Sequence, residues 1–235
     1  MTYSEDAQAV VTEYWSKAGE AYDVHPTSVL HAGAAAELWR GLWASRLPNP
    51  PADVLDVGTG TGLVAMELWR LGHRVTGVDL AEGMLDFARA KARQVQNAPV
   101  FVVGDAVSPP FPEGGFDAIT ARYVLWTLRE PERALSNWRR LLRPGGRIAI
   151  VDGTWGDMYT STYDQDTAAA LTLASATSAG EYATAIEVAG FHDVAVQELT
   201  ELYEIELRHS VENEDVDSSK VRLQYLITAA RGDAA

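Results

Sequence analysis

Nine residues, Val54-Leu55-Asp56-Val57-Gly58-Thr59-Gly60-Thr61-Gly62, bring an acidic side chain together with three glycines at alternate positions. Glycines at that spacing make a tight turn without side chains, which leaves backbone N–H groups open to a ligand. Val54, Leu55 and Val57 suit a strand buried on both faces. From Leu63 the pattern turns helical, with Val64, Leu68 and Leu71 spaced four and three apart. A strand, a bare turn and a helix N-terminus form a cradle for a nucleotide-sized ligand. The dinucleotide fingerprint places its third glycine one position later, and Leu63 occupies that position. A plain strand-to-helix turn that binds nothing is the competing reading.

The chemistry needs a scaffold, and the chain supplies one by alternation. Glu5 to Lys17 reads as a helix that Ala18-Gly19 loosens. A second helix runs from about Ala32 to Arg46 and ends at Pro48-Asn49-Pro50-Pro51. After the glycine turn and its helix come a strand (Arg74 to Asp79), a helix (Glu82 to Val95) and a strand (Pro99 to Val103). Phe116 to Thr120 makes a short fourth strand. A helix opens at Pro131, and Pro144-Gly145-Gly146 turns the chain into a fifth strand, Arg147 to Asp152. Gly153 to Gly180 shows no strand pattern. Glu181 to Ala189 reads as a helix capped by Gly190, and Val194 to Leu199 and Leu223 to Ala229 are the last strand candidates. Glu212 to Asp217 reads as a solvated acidic loop rather than a metal site. Alternation this regular implies right-handed crossovers and a mainly parallel sheet covered on both faces.

Composition narrows the partners. The 235 residues are 47% hydrophobic and 22% charged, which is ordinary for a globular protein with a full core. No apolar run reaches the roughly 18 residues of a membrane span. The acidic start Met1-Thr2-Tyr3-Ser4-Glu5-Asp6 lacks the apolar segment of a signal peptide, so a cytoplasmic protein is expected. With no cysteine there is no disulfide, thiolate metal site or thiol nucleophile. A net charge of −14 repels phosphate backbones and favours a small-molecule substrate over nucleic acid.

From Val54 to Asp152 the chain resembles the class I S-adenosylmethionine (SAM)-dependent methyltransferases, specifically the small-molecule, ubiquinone/menaquinone-biosynthesis-like group (methyltransferase type 11). The resemblance implies an α/β, Rossmann-like, mainly parallel seven-stranded sheet with helices on both faces and a helical N-terminal cap. Residues 1–47 are then the cap, 52–152 the SAM-binding core, and 153–235 an insertion plus C-terminal strands of one domain. It also assigns roles. Gly58, Gly60 and Gly62 face the methionine part of SAM, and Asp56 orients the loop and the methionine amino group. Asp79, beside Leu80, holds the ribose hydroxyls, since two acceptor oxygens match two O–H donors. Met84 packs on adenine. In Gly104-Asp105-Ala106, Asp105 accepts from the exocyclic amine and the Ala106 N–H meets a ring nitrogen. Arg122 to Leu125 line the methionine and sulfonium region.

The implied reaction is in-line displacement by an oxygen or nitrogen of a small, flat acceptor. A neutral acceptor must lose a proton, and His25 and His31 in the N-terminal segment are the candidate imidazoles. His73 and His209 fall away from the expected site. Tyr22 is placed over the sulfonium. Tyr123, Trp126, Trp155, Tyr159 and Tyr163 are candidate walls for the acceptor. The chain departs from the family at Ala81, where relatives carry a serine N-cap, and at Trp126-Thr127, where they carry two histidines. Two other readings remain: a SAM-binding protein without methyl transfer, and a nicotinamide-dependent oxidoreductase, which Leu63 disfavours.

Overall fold

The computed structural model describes residues 3–24, 33–156, 163–212 and 217–232. In chain order the elements are α1 (Tyr3–Val24), α2 (Gly33–Arg46), β1 (Asp53–Val57), α3 (Leu63–Arg70), β2 (Arg74–Asp79) and α4 (Glu82–Ala92). There follow β3 (Val100–Val103), β4 (Phe116–Arg122), α5 (Pro131–Leu141) and β5 (Leu142–Gly153). The chain continues through α6 (Gln165–Ala170), α7 (Ala179–Val188), β6 (His192–Glu198), α8 (Thr200–Glu212) and β7 (Gln224–Ala230). The seven strands lie in the order β3-β2-β1-β4-β5-β7-β6. All neighbours from β3 to β5 pair in parallel, and β7 runs antiparallel to both of its neighbours. This is the expected Rossmann-like α/β architecture.

Both faces of the sheet are covered, which is why β1 and β4 read as nearly continuous apolar runs. One layer packs Leu55, Val57, Ile119 and Ile150 under α5 and α7, with Trp138 and Ile186 fully buried. The other packs Val54, Val75 and Ala118 under α2 to α4, with Trp39, Trp43 and Leu68 at its centre. The order in which strands are added reverses between β1 and β4. At that switch point the helices leave to opposite faces, and a crevice opens beyond the carboxyl ends of the strands.

Several elements differ from the sequence expectation. Helix α1 runs unbroken through Gly19 to Val24. Gly19 does not loosen it but lets α1 press on α4: a Cβ there would lie 3.0 Å from the Gly83 carbonyl and 3.1 Å from the Phe87 ring. The approach is closer still from the other side, where a Cβ on Gly83 would fall 2.1 Å from the Ser16 carbonyl oxygen. Helix α8 was not anticipated. Strand β5 begins at Leu142, and the Pro144-Gly145-Gly146 turn becomes an irregularity within its pairing to β4. No helix among the described residues is long and apolar enough to cross a membrane.

Candidate functional site

The crevice at the switch point is a partly open cleft. Its floor is the glycine loop, whose three glycines all have positive φ (61°, 54° and 80°), open to glycine at little cost. The loop is held from both sides by carboxylates. Asp56, 1% exposed, accepts from Thr59 Oγ1 at 2.7 Å and from Thr120 Oγ1 at 2.8 Å. Asp79 accepts from the Gly60 N–H through Oδ2 and from the Ala81 N–H through Oδ1, each at 2.8 Å. That second bond fixes the N-cap residue Ala81 itself, while the first turn of α4 has no side-chain cap. With the Leu80 N–H also near Asp79 and the Ala65 N–H near Asp56, each carboxylate keeps at least one of its roughly four acceptor sites for a ligand. Burial pushes the Asp56 carboxyl up to about 6, and the nearby Asp79 charge adds to the rise. Asp79 is itself raised by burial, against the lowering effect of its N–H donors.

The third wall is the turn after β3. Asp105 Oδ1 accepts the Val107 N–H at 2.8 Å, and its Oδ2 pairs with Arg129 Nη2 at 2.7 Å. Trp138 Nε1 donates to the Ala106 carbonyl at 2.7 Å, so α5 pins this turn from beneath.

Helix α1 roofs the cleft with Gln8, Val11, Thr12, Trp15 and Tyr22. Two cations fasten it. Arg129 reaches Gln8 as well as Asp105, and Lys91 pairs with Asp23 while donating to the Thr61 carbonyl at 2.9 Å. Each cation therefore joins the roof to a part of the ligand cradle. A chain of aromatic rings runs from the roof to the far wall: Tyr22 to Trp15 at 5.9 Å, Trp15 to Trp126 at 6.4 Å, Trp126 to Trp155 at 6.5 Å, and Trp155 to Tyr123 at 5.0 Å. All but the tilted Trp126–Trp155 contact are edge-on, an arrangement that fixes ring orientation. Tyr123 has φ 60° and donates its hydroxyl to Gln224 Oε1 at 2.5 Å. The Arg122 guanidinium stacks between Trp39 and Tyr123, 4.8 and 4.3 Å from their ring centres.

Most sequence candidates converge here. Tyr22, Asp56, Gly58, Gly60, Asp79, Leu80, Met84, Asp105, Ala106, Arg122, Tyr123, Trp126 and Trp155 all line the cleft. Gly62 instead caps α3 from the left-handed region, and Gly104 packs beside Pro110 while donating its N–H to the Asp79 carbonyl. Tyr163 lies behind the wall, packed on Tyr14 and Trp126. His25, His31 and Tyr159 lie outside the described residues. His73 is buried at the start of β2, at the opposite end of the sheet, as expected.

The roof residues Gln8, Val11, Thr12 and Trp15 were missed. Their spacing of three, four and seven was a legible stripe. Arg129, Lys91 and Asp152 were missed too, because their roles depend on partners far along the chain.

Residues 55–150 match the profile of a family described as a methyltransferase domain. A demethylmenaquinone methyltransferase of Deinococcus radiodurans is 34% identical over 150 residues, covering 63% of this chain and 62% of that protein. The chain thus spans about three-fifths of the relative's length. Two solved structures share the fold. Haemonchus contortus phosphoethanolamine N-methyltransferase 2, in complex with S-adenosyl-L-methionine, has a TM-score of 0.66 at 17% identity, over 84% of this chain and 53% of that one. The cyclase SpnF has a TM-score of 0.65 at 22% identity, over 86% and 82%.

Proposed function

We propose that this chain, whose residues 55–150 form a class I methyltransferase domain, transfers a methyl group from S-adenosyl-L-methionine to an oxygen or nitrogen of a small, flat acceptor. The observation that carries this reading is the pairing of a side-chain-free loop with two carboxylates that still have lone pairs to offer, under an aromatic roof.

The cradle fits SAM. A Cβ on Gly58 would lie 2.4 Å from Val124, so nothing larger than glycine leaves the loop open at that point. The Thr61 hydroxyl, 1% exposed on the cleft lining, has no hydrogen-bond partner within the described protein. A buried donor in that condition costs about 1–3 kcal/mol until a ligand meets it.

When bound, SAM supplies a methyl group activated by a sulfonium leaving group. The chain's own residues supply recognition and alignment. Asp79 takes the ribose hydroxyls while keeping the Gly60 and Ala81 N–H groups. Asp56 offers its charge to the methionine ammonium, and Arg122 lines that end of the cleft. Leu80 and Met84 pack on the adenine. Asp105, held still by Arg129, accepts from the exocyclic amine beside the Ala106 N–H. Tyr22 lies toward the sulfonium. Trp126, Trp155 and Tyr123 wall the acceptor and exclude water. Fixing two reactants in attack geometry contributes up to roughly 7–11 kcal/mol. A neutral acceptor must lose a proton, and the imidazoles proposed to take it are those of His25 and His31, which lie outside the described residues. Residues 1–47, 52–152 and 153–235 act as cap, cofactor core and acceptor flank of one domain, in a cytoplasmic protein.

Methyl-labelled SAM incubated with a panel of phenols and aryl amines tests the reading. Label is expected in a flat phenol or amine. SAM binding with no transfer to any acceptor favours the second reading, a SAM-binding protein that does not methylate. No binding at all overturns both.

Affinity should also depend on pH. The carboxyl of Asp56 titrates near 6 in the free protein. A cation beside it favours the ionised form and lowers its pKa, so SAM binding releases a proton in that region. Affinity is therefore expected to rise roughly five- to tenfold between pH 5 and 7 and then level off. Calorimetry in buffers of different ionisation enthalpy checks both the affinity and the proton. A flat profile removes Asp56 from the neighbourhood of the ligand's charge.

A further inference from the structure

The acceptor wall has an organiser that lies outside the cleft. Asp152, at the end of β5, is 0% exposed and does not itself line the cavity. Its Oδ2 accepts the Leu125 N–H at 3.0 Å. Its Oδ1 accepts the Gly153 N–H at 2.9 Å and the Trp155 indole N–H at 2.7 Å. The Trp126 backbone N–H points to it as well. Leu125 opens the single 3₁₀ turn Leu125–Thr127, which carries Trp126 and Thr127 to the cleft.

One buried carboxylate therefore ties together the two segments whose indoles form the wall: the turn after β4 and the loop after β5. The rings it fixes touch each other at 6.5 Å, and Trp155 meets Tyr123 nearly at right angles, 87°. Tyr182 steadies the same strand end from α7 by donating to the Gly153 carbonyl at 2.9 Å.

Few other residue types would serve. A carboxylate offers about four acceptor sites and no donor, matching a ring of N–H groups. An asparagine would turn an NH₂ group against one side of that ring. Charge-assisted bonds of this kind are about twice as strong as neutral ones. Burial pushes the Asp152 carboxyl up to about 7, opposed by those same N–H donors.

We propose that Asp152 is the positioning residue of the acceptor compartment, setting acceptor selectivity by fixing Trp126 and Trp155 without touching either reactant. The proposal rests on the reading above that this wall faces the acceptor.

The test uses the full chain with ¹⁵N-labelled tryptophan, saturated with S-adenosylhomocysteine, with 2-naphthol as the flat phenolic probe. Trp155→Phe and Trp126→Phe each remove one indole N–H and so identify the two resonances among the seven tryptophans. In Asp152→Asn, the Trp155 and Trp126 indole resonances are both expected to move and 2-naphthol to bind about tenfold more weakly, the scale of a lost charge-assisted bond. S-adenosylhomocysteine affinity should change less than 2-naphthol affinity, by no more than about threefold, since Asp152 does not itself line the cavity. Trp155→Phe, which keeps the carboxylate, should lose a similar factor for 2-naphthol. The double variant should lose no more than the worse single one, because the two act through one contact. Multiplied losses, or a Trp126 resonance unmoved in Asp152→Asn, overturn the positioning role. A wild-type complex whose indoles ignore 2-naphthol overturns instead the aromatic-acceptor reading, and the claim on selectivity with it.

Discussion

Asp79→Ala is expected to weaken S-adenosylhomocysteine binding by at least about a hundredfold while leaving a folded protein. Two ribose O–H bonds to a carboxylate are worth about 1.5–3 kcal/mol each. At 1.4 kcal/mol per factor of ten, their combined loss amounts to two or more orders of magnitude. The structure adds a second loss to the first. Asp79 also holds the Gly60 and Ala81 N–H groups at 2.8 Å, so its removal frees the glycine loop and the N-cap residue of α4 together. Asp79→Asn keeps the shape but only one acceptor oxygen, and should fall between the wild type and the alanine variant. Calorimetry gives the affinities, and thermal unfolding shows that the fold survives. An alanine variant with wild-type affinity would remove the ribose from Asp79.

Gly83→Ala should detach the roof. Alanine is ordinarily the better helix former by about 1 kcal/mol, so on an isolated helix this change is favourable. Here the new Cβ would fall 2.1 Å from the Ser16 carbonyl oxygen, and a backbone atom has no rotamer by which to escape. Overpacking of this kind costs about 1–3 kcal/mol. Helix α1, which packs outside the sheet layers, is expected to give way. Amides of α1 should exchange faster while those of β1 and β4 do not. Ligand affinity should fall about tenfold or more as Trp15 and Tyr22 leave the cleft. Gly41→Ala is the matched control, since nothing lies within 4 Å of a Cβ at that site in α2. It should stabilise the protein by up to about 1 kcal/mol. Equal behaviour of the two variants would mean that α1 is not seated on Gly83.

These two residues show what the sequence could reveal. Asp79 was legible because its role follows from its place at the end of a strand beside a glycine turn, all within about 25 residues. The β1–α3–β2 unit declares itself through local periodicity, and the structure reproduces Arg74–Asp79 to the residue. Gly19, by contrast, looked like a helix breaker. Its reason for being glycine is Gly83, 64 positions away, and no local pattern carries that information. Asp152 was equally opaque: a strand-terminal aspartate means little until Leu125 and Trp155 are seen to aim N–H groups at it. Helix α8 escaped because only Leu202 and Ser210 of its residues are buried, which leaves a weak apolar stripe among many glutamates.

The fastening of α1 also bears on how this scaffold could be re-engineered. Exchanging residues 3–24 for the leading helix of another enzyme, to import its choice of acceptor, would not be a cut at a neutral seam. The donor helix would have to bring a glycine to face Gly83, an acid to meet Lys91 and an amide to meet Arg129. A graft lacking them would leave both cations, and with them the Thr61 carbonyl and the Asp105 carboxylate, to rearrange. On the proposed reading, acceptor choice and cofactor grip would be inherited together, as one block of sequence rather than two.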